Sequence, residues 1–167
     1  MSNIVIRHIE QRDLPALLDI YNHYVIHTPI NFDIEPRTLA QWQEWLDEFS
    51  NVGKYQCFVA DEDSKPIGYA CSAQFKEKAA YATTIETSVY CAPDCAGKGI
   101  GRTLYSTLFD ALKDEDIHRA FGGITLPNAA SVGLHEAMGF RHIGTYGEVG
   151  RKFGRYWDVG LFIREMN

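Results

Sequence analysis

Residues 89–112 read VYCAPDCAGKGIGRTLYSTLFDAL, and this stretch decides how the rest of the chain is interpreted. It predicts the end of a β-strand, a glycine-rich turn and an amphipathic helix, because apolar residues recur at helical spacing after the turn. Gly97, Gly99 and Gly101 leave the backbone nearly bare where the helix begins, and two basic side chains add positive charge. Backbone N–H groups at such a helix start favour phosphate oxygens. On this stretch alone, a phosphate site and a mobile loop before an ordinary helix both stay open.

The composition of the chain is that of a soluble globular protein. Its 167 residues are enough for one domain with a sizeable core, and 46% are apolar against 23% charged. A net charge of −6 disfavours a nucleic-acid partner, for which a basic footprint is expected. The first residues lack the apolar stretch of a secretory signal, and no run approaches the roughly 18 apolar residues of a membrane span. We therefore expect one domain over residues 1–167, with neither a membrane nor a nucleic-acid partner.

The spacing of histidines and cysteines predicts no metal site. His23 and His27 are four residues apart, but Tyr24 stands where a zinc-binding H-E-x-x-H motif needs its glutamate. The cysteines match neither a disulfide framework nor a zinc ribbon, so we expect free thiols in a reducing, cytoplasmic compartment. The four cysteines are Cys57, Cys71, Cys91 and Cys95.

Hydrophobic periodicity and turn residues predict the element order βααβββαβαββ, which indicates one mixed α/β domain. Asp13 is expected to cap the first helix. The T-x-x-Q pattern from Thr38 to Gln41 predicts a capping box for a second helix that runs to about Asn51. The predicted strands span residues 4–9, 55–61, 66–75, 83–91, 119–126, 140–146 and 156–163, with a glycine-rich loop between the last two and a fourth helix capped by Asn128 or Ser131.

Two further motifs give the chain a family resemblance. Residues 128–131 read Asn-Ala-Ala-Ser and residues 134–140 read Leu-His-Glu-Ala-Met-Gly-Phe. Together with the strand, glycine loop, helix and strand before them, they resemble the GNAT N-acetyltransferases. Within that family the chain is similar to the phosphinothricin and methionine-sulfoximine acetyltransferases, over about residues 4–163. The stretches that carry this finer likeness are residues 21–25 with 31–36, residues 85–90, and residues 152–154 with 157–160.

The resemblance implies an α/β (α+β) domain with a central mixed, mostly antiparallel sheet and about four flanking helices. It also implies acetyl-CoA as co-substrate, with its pantetheine arm along residues 89–91 and its pyrophosphate on the glycine loop. The loop lacks both the Walker spacing and the third glycine of G-x-G-x-x-G, so other nucleotide readings are weak. Ala96 stands where the family usually carries Gln or Arg, and we expect it to lower coenzyme affinity somewhat. The predicted coenzyme-binding residues are Val89, Tyr90, Cys91, Gly97, Lys98, Gly99, Ile100, Gly101, Arg102 and Asn128.

Acetyl transfer to an amine requires a base, because a primary ammonium has a pKa of about 10 in water. The resemblance implies Glu86 as that base, acting directly or through a water, whereas a surface strand glutamate is the alternative. His135 takes the place where many GNAT enzymes carry a tyrosine that protonates the departing thiolate. A proton donor and a helix histidine packed against the coenzyme are both open for His135. Three tyrosines compete with it as the donor, namely Tyr90, Tyr105 and Tyr146.

The acceptor site is predicted from the same resemblance. Lys76 and Lys78 occupy positions near the acceptor, where they suit a carboxylate, phosphinate or sulfonyl oxygen. Thr87 and Ser88 offer hydroxyls, and Phe32 and Tyr81 are expected to close an apolar wall. A solvated pair of charges is the alternative for the two lysines. With Glu86, the predicted acceptor-binding set is Phe32, Lys76, Lys78, Tyr81, Glu86, Thr87 and Ser88.

These residues predict an acetyl-CoA-dependent N-acetyltransferase that acts on a small amino-acid-like amine by direct transfer. The resemblance suggests phosphinothricin, methionine sulfoximine and methionine sulfone as acceptors, and a homodimer as the assembly. One alternative is a GNAT enzyme for another amine, such as a polyamine, an aminoglycoside or a protein N-terminus. Another is an acyl-CoA-binding sensor without turnover.

Overall fold

Seven strands form one sheet in the computed structural model, which describes residues 3–166. The strand order is β1-β2-β3-β4-β5-β7-β6, and every neighbouring pair is antiparallel except β4 and β5, which are parallel. Four helices flank this sheet within the same residues, and none of them is long and apolar enough to cross a membrane. The strands are β1 (Ile4–His8), β2 (Cys57–Glu62), β3 (Lys65–Gln74), β4 (Thr84–Cys91), β5 (Arg119–Leu126), β6 (Arg141–Lys152) and β7 (Arg155–Glu165). The helices are α1 (Leu14–His27), α2 (Leu39–Leu46), α3 (Ile100–Ala111) and α4 (Ala129–Ala137).

The predicted element order and the mixed sheet are confirmed. The predicted end of α2 at Asn51 is wrong by five residues. From Asp47 to Phe49 the chain makes i→i+3 hydrogen bonds in place of the helical ones, as at many helix ends. The Thr38–Gln41 capping box is present as predicted.

The glycine-rich loop predicted after residue 146 is instead part of β6. The ladder with β7 shifts register between Tyr146 and Gly150 and then resumes as far as Lys152. Main-chain pairing needs no alternation of side chains, so this irregular stretch stays in the sheet although it carries no strand pattern. The chain reverses at Phe153 and Gly154, which both have positive φ, at 52° and 72°.

Two apolar clusters lie on opposite faces of the sheet. Successive residues of one strand enter different clusters, as the pleat requires. On β2, Phe58 joins the cluster under α3 and Val59 joins the cluster under α1 and α2. On β4, Ile85 lies in the α3 cluster, so its neighbour Glu86 projects to the opposite face.

Asp13 is the N-cap residue of α1 as predicted, but its side chain makes no capping hydrogen bond to that helix. Its carboxylate is buried and accepts two hydrogen bonds from the Arg7 guanidinium, at 2.8 and 2.7 Å. The Glu10 N–H also donates to it at 2.8 Å. A buried ion pair therefore ties β1 to the start of α1, and it forms between residues that no helix rule connects.

Candidate active site

The sheet splits open between β4 and β5. Paired residues join these two strands only at Thr84–Glu86 and Arg119–Phe121. Beyond this short ladder, β4 stays paired to β3 and β5 stays paired to β7. The inner edges of both strands therefore face an opening in the middle of the sheet.

A cavity of about 450 Å³ lies beside this opening, at the start of α3 and α4. Every residue predicted to bind the coenzyme lines it except Lys98. Tyr24 and Ile30, from α1 and the segment after it, also line this cavity. The residues from the glycine loop and from α4 that line it are Cys95, Ala96, Gly97, Gly99, Ile100, Gly101, Arg102, Asn128, Ala130, Ser131 and Leu134.

Two different structural constraints explain why glycine stands at the three loop positions. Gly97 and Gly99 have φ of 76° and 77°, a left-handed conformation that costs other residues about 1–2 kcal/mol. Gly101 has no such φ, but a Cβ there would lie 3.1 Å from a Leu134 methyl group, so its absence lets α3 approach α4. The result is a helix N-terminus whose first N–H groups face the cavity with little side chain in the way.

Asn128 is the N-cap of α4, a role for which the sequence offered either Asn128 or Ser131. Its side-chain oxygen accepts the Ser131 N–H at 3.1 Å and so caps α4. The same residue lines both the large cavity and a smaller one of about 70 Å³ inside the opening. Its amide N–H₂ group is therefore the part available to a bound molecule.

Main-chain groups of β4 face the opening at alternate residues. The Ser72 N–H of β3 donates to Gln56 on the β2 side at 3.0 Å, so it does not pair with Thr87, its register partner on β4. Bonded and non-bonded pairs alternate along an antiparallel ladder. Thr87 and Val89 therefore direct their N–H and C=O groups away from β3, towards β5 and the opening beyond the short ladder.

Main-chain groups at the end of β4 are already hydrogen-bonded. The Ala92 N–H donates to the Ile67 carbonyl at 2.8 Å, which continues the β3 ladder. The Cys91 carbonyl, which faces the other way, accepts the Tyr24 hydroxyl at 2.6 Å. Val89 lies between these bonded groups and the short β4–β5 ladder, and its N–H faces the opening.

Glu86 projects from the sheet face that carries α1. Its carboxylate is half-buried, and this desolvation raises its pKa above the ordinary 4.5. Within residues 3–166, no hydrogen bond or ion pair reaches the carboxylate. An unpaired carboxylate whose charged form is disfavoured by burial is suited to accept a proton.

His135 and Tyr105 meet at the small cavity, on the face opposite Glu86. The His135 Nδ1 lies 2.8 Å from the Ser131 carbonyl, which can only accept, so Nδ1 carries the proton. The Nε2 atom then accepts a hydrogen bond from the Tyr105 hydroxyl, at 3.2 Å. Burial lowers the pKa of His135, so the neutral imidazole is the favoured form.

Of the three competing tyrosines, Tyr105 is the one beside His135. The Tyr90 hydroxyl is occupied by the Asn31 side chain at 3.0 Å, and Tyr146 is exposed. Burial raises the pKa of Tyr105, so it stays protonated at neutral pH.

The predicted acceptor residues divide between the two faces. Thr87 is buried on the α3 face, where its hydroxyl donates to the Phe121 carbonyl at 3.3 Å and lies 3.5 Å from the Tyr105 hydroxyl. Ser88, the next residue, therefore points to the same face as Glu86. The two residues therefore direct their side chains to opposite faces of β4, although both line the smaller cavity.

An aromatic group lies near Glu86. The Lys76 ammonium is 5.1 Å from the ring centroids of both Phe75 and Tyr81. The Phe75 ring contacts Phe121 at 5.0 Å between centroids, and Phe121 is the register partner of Glu86 on β5. The sequence did not single out Phe75 or Phe121, because only the pairing of strands distant in the chain brings them to this place.

Lys78 and Phe32 lie away from this aromatic group. Lys78 is exposed and precedes the short 3₁₀ turn Ala79–Tyr81. Phe32 packs on Gly150 of β6, and no ring contact within the described part of the chain joins it to Tyr81. The apolar wall predicted from Phe32 and Tyr81 is therefore not a single surface.

Residues 3–166 contain no group of three or more His, Cys, Asp and Glu side chains placed to hold a metal ion. The His23 and His27 rings contact each other at a tilt of 45°, with centroids 4.9 Å apart. The four cysteines are free thiols.

Comparison with known proteins agrees with this geometry. The sequence profile of the acetyltransferase (GNAT) domain matches residues 6–161. The chain is 52% identical to phosphinothricin N-acetyltransferase from Streptomyces coelicolor, over 99% of this chain and 98% of that one. It is 35% identical to the L-methionine sulfoximine/L-methionine sulfone acetyltransferase of Pseudomonas aeruginosa, over 88% and 86% of the two chains. Its fold matches a Salmonella typhimurium structure solved with its cofactor acetyl-CoA, with a TM-score of 0.94, 32% identity and coverage of 99% and 95%.

Proposed function

The chain belongs to the acetyltransferase (GNAT) family, and on that premise we propose that it acetylates the amine of a small amino-acid-like acceptor. It is an acetyl-CoA-dependent N-acetyltransferase. The acceptor class proposed is that of phosphinothricin, methionine sulfoximine and methionine sulfone, which the named relatives support. The observation that carries the proposal is the split between β4 and β5, with a helix N-terminus on one side and the unpaired Glu86 on the other.

The residues around the large cavity fit acetyl-CoA. Gly97, Gly99 and Gly101 leave the α3 N-terminus uncovered by side chains. Backbone N–H groups and the helix dipole there favour binding of a pyrophosphate. Lys98 and Arg102 add positive charge beside it. Bound acetyl-CoA supplies the acyl group to be transferred; the N–H and C=O groups of Val89, with the Asn128 amide, would hold its pantetheine arm in the opening. Because the phosphate contacts are proposed to come mainly from the backbone, Ala96 lowers the coenzyme affinity somewhat without removing the site.

We assign three catalytic tasks to residues at the opening, of which the first two fall to Val89 and Glu86. The Val89 N–H donates to the thioester oxygen and polarises the carbonyl. Glu86 takes the proton from the acceptor ammonium, directly or through one water, so that the free amine attacks the carbonyl carbon. The sulfur then leaves with the electron pair of the broken C–S bond, and the nitrogen gives up its second proton to water as the amide forms.

The Tyr105–His135 pair is proposed to return a proton to that sulfur. The Tyr105 hydroxyl is the donor: in the resting protein it donates to His135 Nε2, whose tautomer the Ser131 carbonyl fixes, and it turns to the sulfur as the thiolate forms. The tyrosinate then regains a proton from water. A histidine held neutral by burial has no proton to spare at Nε2, so it acts through Tyr105 in this proposal.

The acceptor is proposed to lie on the Glu86 face. Lys76 attracts its carboxylate or phosphinate oxygen, and Ser88 offers a hydroxyl. Tyr81 covers the apolar part of the acceptor from the Lys76 side. Lys78 contributes long-range attraction only, and Phe32 limits the far end of the acceptor region. Thr87 belongs to the opposite face, where its hydroxyl contacts Tyr105.

We also propose a cytoplasmic homodimer. Free thiols at all four cysteines suit a reducing compartment. The edge strand β6 and its hairpin carry the exposed apolar residues Ile143, Tyr146, Val149 and Tyr156, which suit a contact with a second copy. Light scattering on the purified protein tests this assembly, and a monomer at all concentrations contradicts it.

A thiol-release assay with acetyl-CoA and a panel of amines tests the proposed function. We expect release with phosphinothricin, methionine sulfoximine and methionine sulfone. Release only with a polyamine, an aminoglycoside or a peptide N-terminus would overturn the acceptor class. Binding of acetyl-CoA without release in any mixture would overturn enzymatic activity and favour a sensor.

A further inference from the structure

The Phe32 ring occupies the space that a side chain at Gly150 would fill. A Cβ built on Gly150 falls against the Cε2 and Cζ atoms of that ring and 2.9 Å from its Cδ2. These atoms form the outer end of the partly exposed Phe32 ring, so a side chain at Gly150 would have to displace that ring. Gly150 has no positive φ, so backbone conformation does not explain the glycine.

The segment that carries Phe32 is fixed from several directions. The buried Lys152 ammonium, on the same face of β6 as Gly150, donates to the Asn31 carbonyl at 2.6 Å. The Asn31 side chain donates to the Tyr90 hydroxyl at 3.0 Å. The Thr125 hydroxyl donates to the Ile30 carbonyl at 3.4 Å. Ile30 itself lines both cavities of the opening. Strand β6 is thus linked to the opening through three consecutive residues.

We propose that Gly150 is a positioning residue for acceptor selection. Its missing side chain leaves the space in which Phe32 lies, and this contact sets where residues 30–33 lie over the opening. The inference rests on the proposed function, because these residues are taken to bound the acceptor. Gly150 touches neither substrate and acts only through Phe32.

The matched comparison is Gly150→Ala against Gly147→Ala. Gly147 lies in the same strand, has no positive φ, and a Cβ there meets no atom within 4 Å. We expect Gly150→Ala to raise the acceptor KM about tenfold, in keeping with overpacking of this kind, and to leave the acetyl-CoA KM unchanged. Gly147→Ala should change neither value. Equal acceptor KM values in the two variants would overturn the proposal.

The Phe32→Ala background separates positioning from general damage. Phe32→Ala should raise the acceptor KM, and adding Gly150→Ala should then have no further effect, because the ring that it displaces is gone. If Gly150→Ala folds poorly, the double variant should recover the melting temperature of Phe32→Ala alone. Additive effects of the two changes would contradict the proposed contact.

Cleavage by trypsin after Arg37 gives a measure that does not depend on catalysis. Arg37 is exposed and pairs with Asp33 in the same segment, at 2.6 Å. Gly150→Ala should speed this cleavage by loosening the segment, whereas Gly147→Ala should not. If the wild type acetylates none of the acceptors but the cleavage differs as expected, the proposed function fails and the Phe32 contact stands. Equal cleavage rates in both variants contradict the contact itself.

Discussion

The two sides of the split sheet are built in different ways. On the coenzyme side, a single continuous stretch from β4 through α3 supplies most of the lining, with Asn128 and α4 completing it. Its polar contacts come mainly from main-chain N–H groups at a helix start and a strand edge. On the proposed acceptor side, side chains from the β3–β4 connection, β4 and β5 meet near Glu86, and Phe32 from the segment after α1 packs separately on β6.

This difference predicts which changes each side tolerates. A cradle made of backbone is sensitive to φ and insensitive to most side chains, so Ala96 is compatible with it. A surface made of side chains is sensitive to each of them, since Lys76, Phe75 and Phe121 hold one another in place. Changes on the two sides should therefore alter different kinetic constants, and the following variants test that separation.

The largest effect is expected from Glu86→Gln, on the acceptor face. The variant keeps the shape of the side chain but removes the base, so kcat should fall about 10²-fold or more. Steady-state kinetics with methionine sulfoximine measures this fall. A loss of acetyl-CoA affinity of equal size would instead indicate structural damage.

The pH dependence of the wild type provides a second test of Glu86. Burial raises the pKa of this carboxyl above 4.5, so the base is present above the raised value and is lost as the pH falls through it. The acid limb of kcat/KM should therefore lie at a higher pH than for an exposed glutamate. The limb should be absent in Glu86→Gln, and its persistence there would assign it to another group.

A smaller fall is expected from Tyr105→Phe, on the coenzyme face. The ring stays but the donor to His135 Nε2 is removed, so kcat should fall about tenfold, with water in the small cavity replacing part of the function. His135→Ala should lower kcat similarly, because the two residues act as one unit. Unchanged turnover in either variant would exclude this proton route.

Gly99→Ala should change coenzyme binding and leave chemistry intact. Gly99 has a left-handed φ of 77°, and holding an alanine in that conformation costs about 1 kcal/mol of conformational free energy. If the free loop of the variant relaxes, binding must restore the conformation, and the acetyl-CoA Kd should then rise about fivefold. Calorimetric titration measures the Kd. Gly133→Ala in α4 is the control, because its Cβ meets open space at an ordinary φ. An equal loss of affinity in the control would deny the special role of the loop.

The smallest effect is expected from Lys76→Met. An exposed charge contributes about 0–1 kcal/mol, so the KM for a carboxylated acceptor should rise about threefold and lose part of its salt dependence. Lys113→Met, at the far end of α3, is the matched control. No difference between the two variants would support the alternative of a solvated charge.

Much of the fold could be predicted from the sequence, because the elements that form it carry local signals. The Thr38–Gln41 capping box is one of them, and the strand at residues 119–126 was placed with its observed ends. The ion pair of Asp13 with Arg7 could not be predicted, since it depends on how β1 and α1 meet. The second half of β6 was missed because its glycines carry no alternating pattern.

The candidate site was predictable to the extent that it is contiguous. The six residues of the glycine loop are enough to predict a phosphate site made of backbone N–H groups. The neighbours of Glu86 come from β3 and β5, and no sequence pattern links them to it. Tyr105 could be named as a candidate but not selected, because only the fold brings it to His135. Phe32 and Gly150 are more than a hundred residues apart in the sequence, and no sequence pattern predicts their contact.

The central claim is that donor and acceptor chemistry are separated by the split sheet. The most direct test is to measure, in both Glu86→Gln and Gly99→Ala, the acetyl-CoA Kd by calorimetry and kcat at saturating acetyl-CoA. We predict a wild-type Kd with a lost kcat for Glu86→Gln, and a raised Kd with a wild-type kcat for Gly99→Ala. Loss of both quantities together in both variants would contradict the claim.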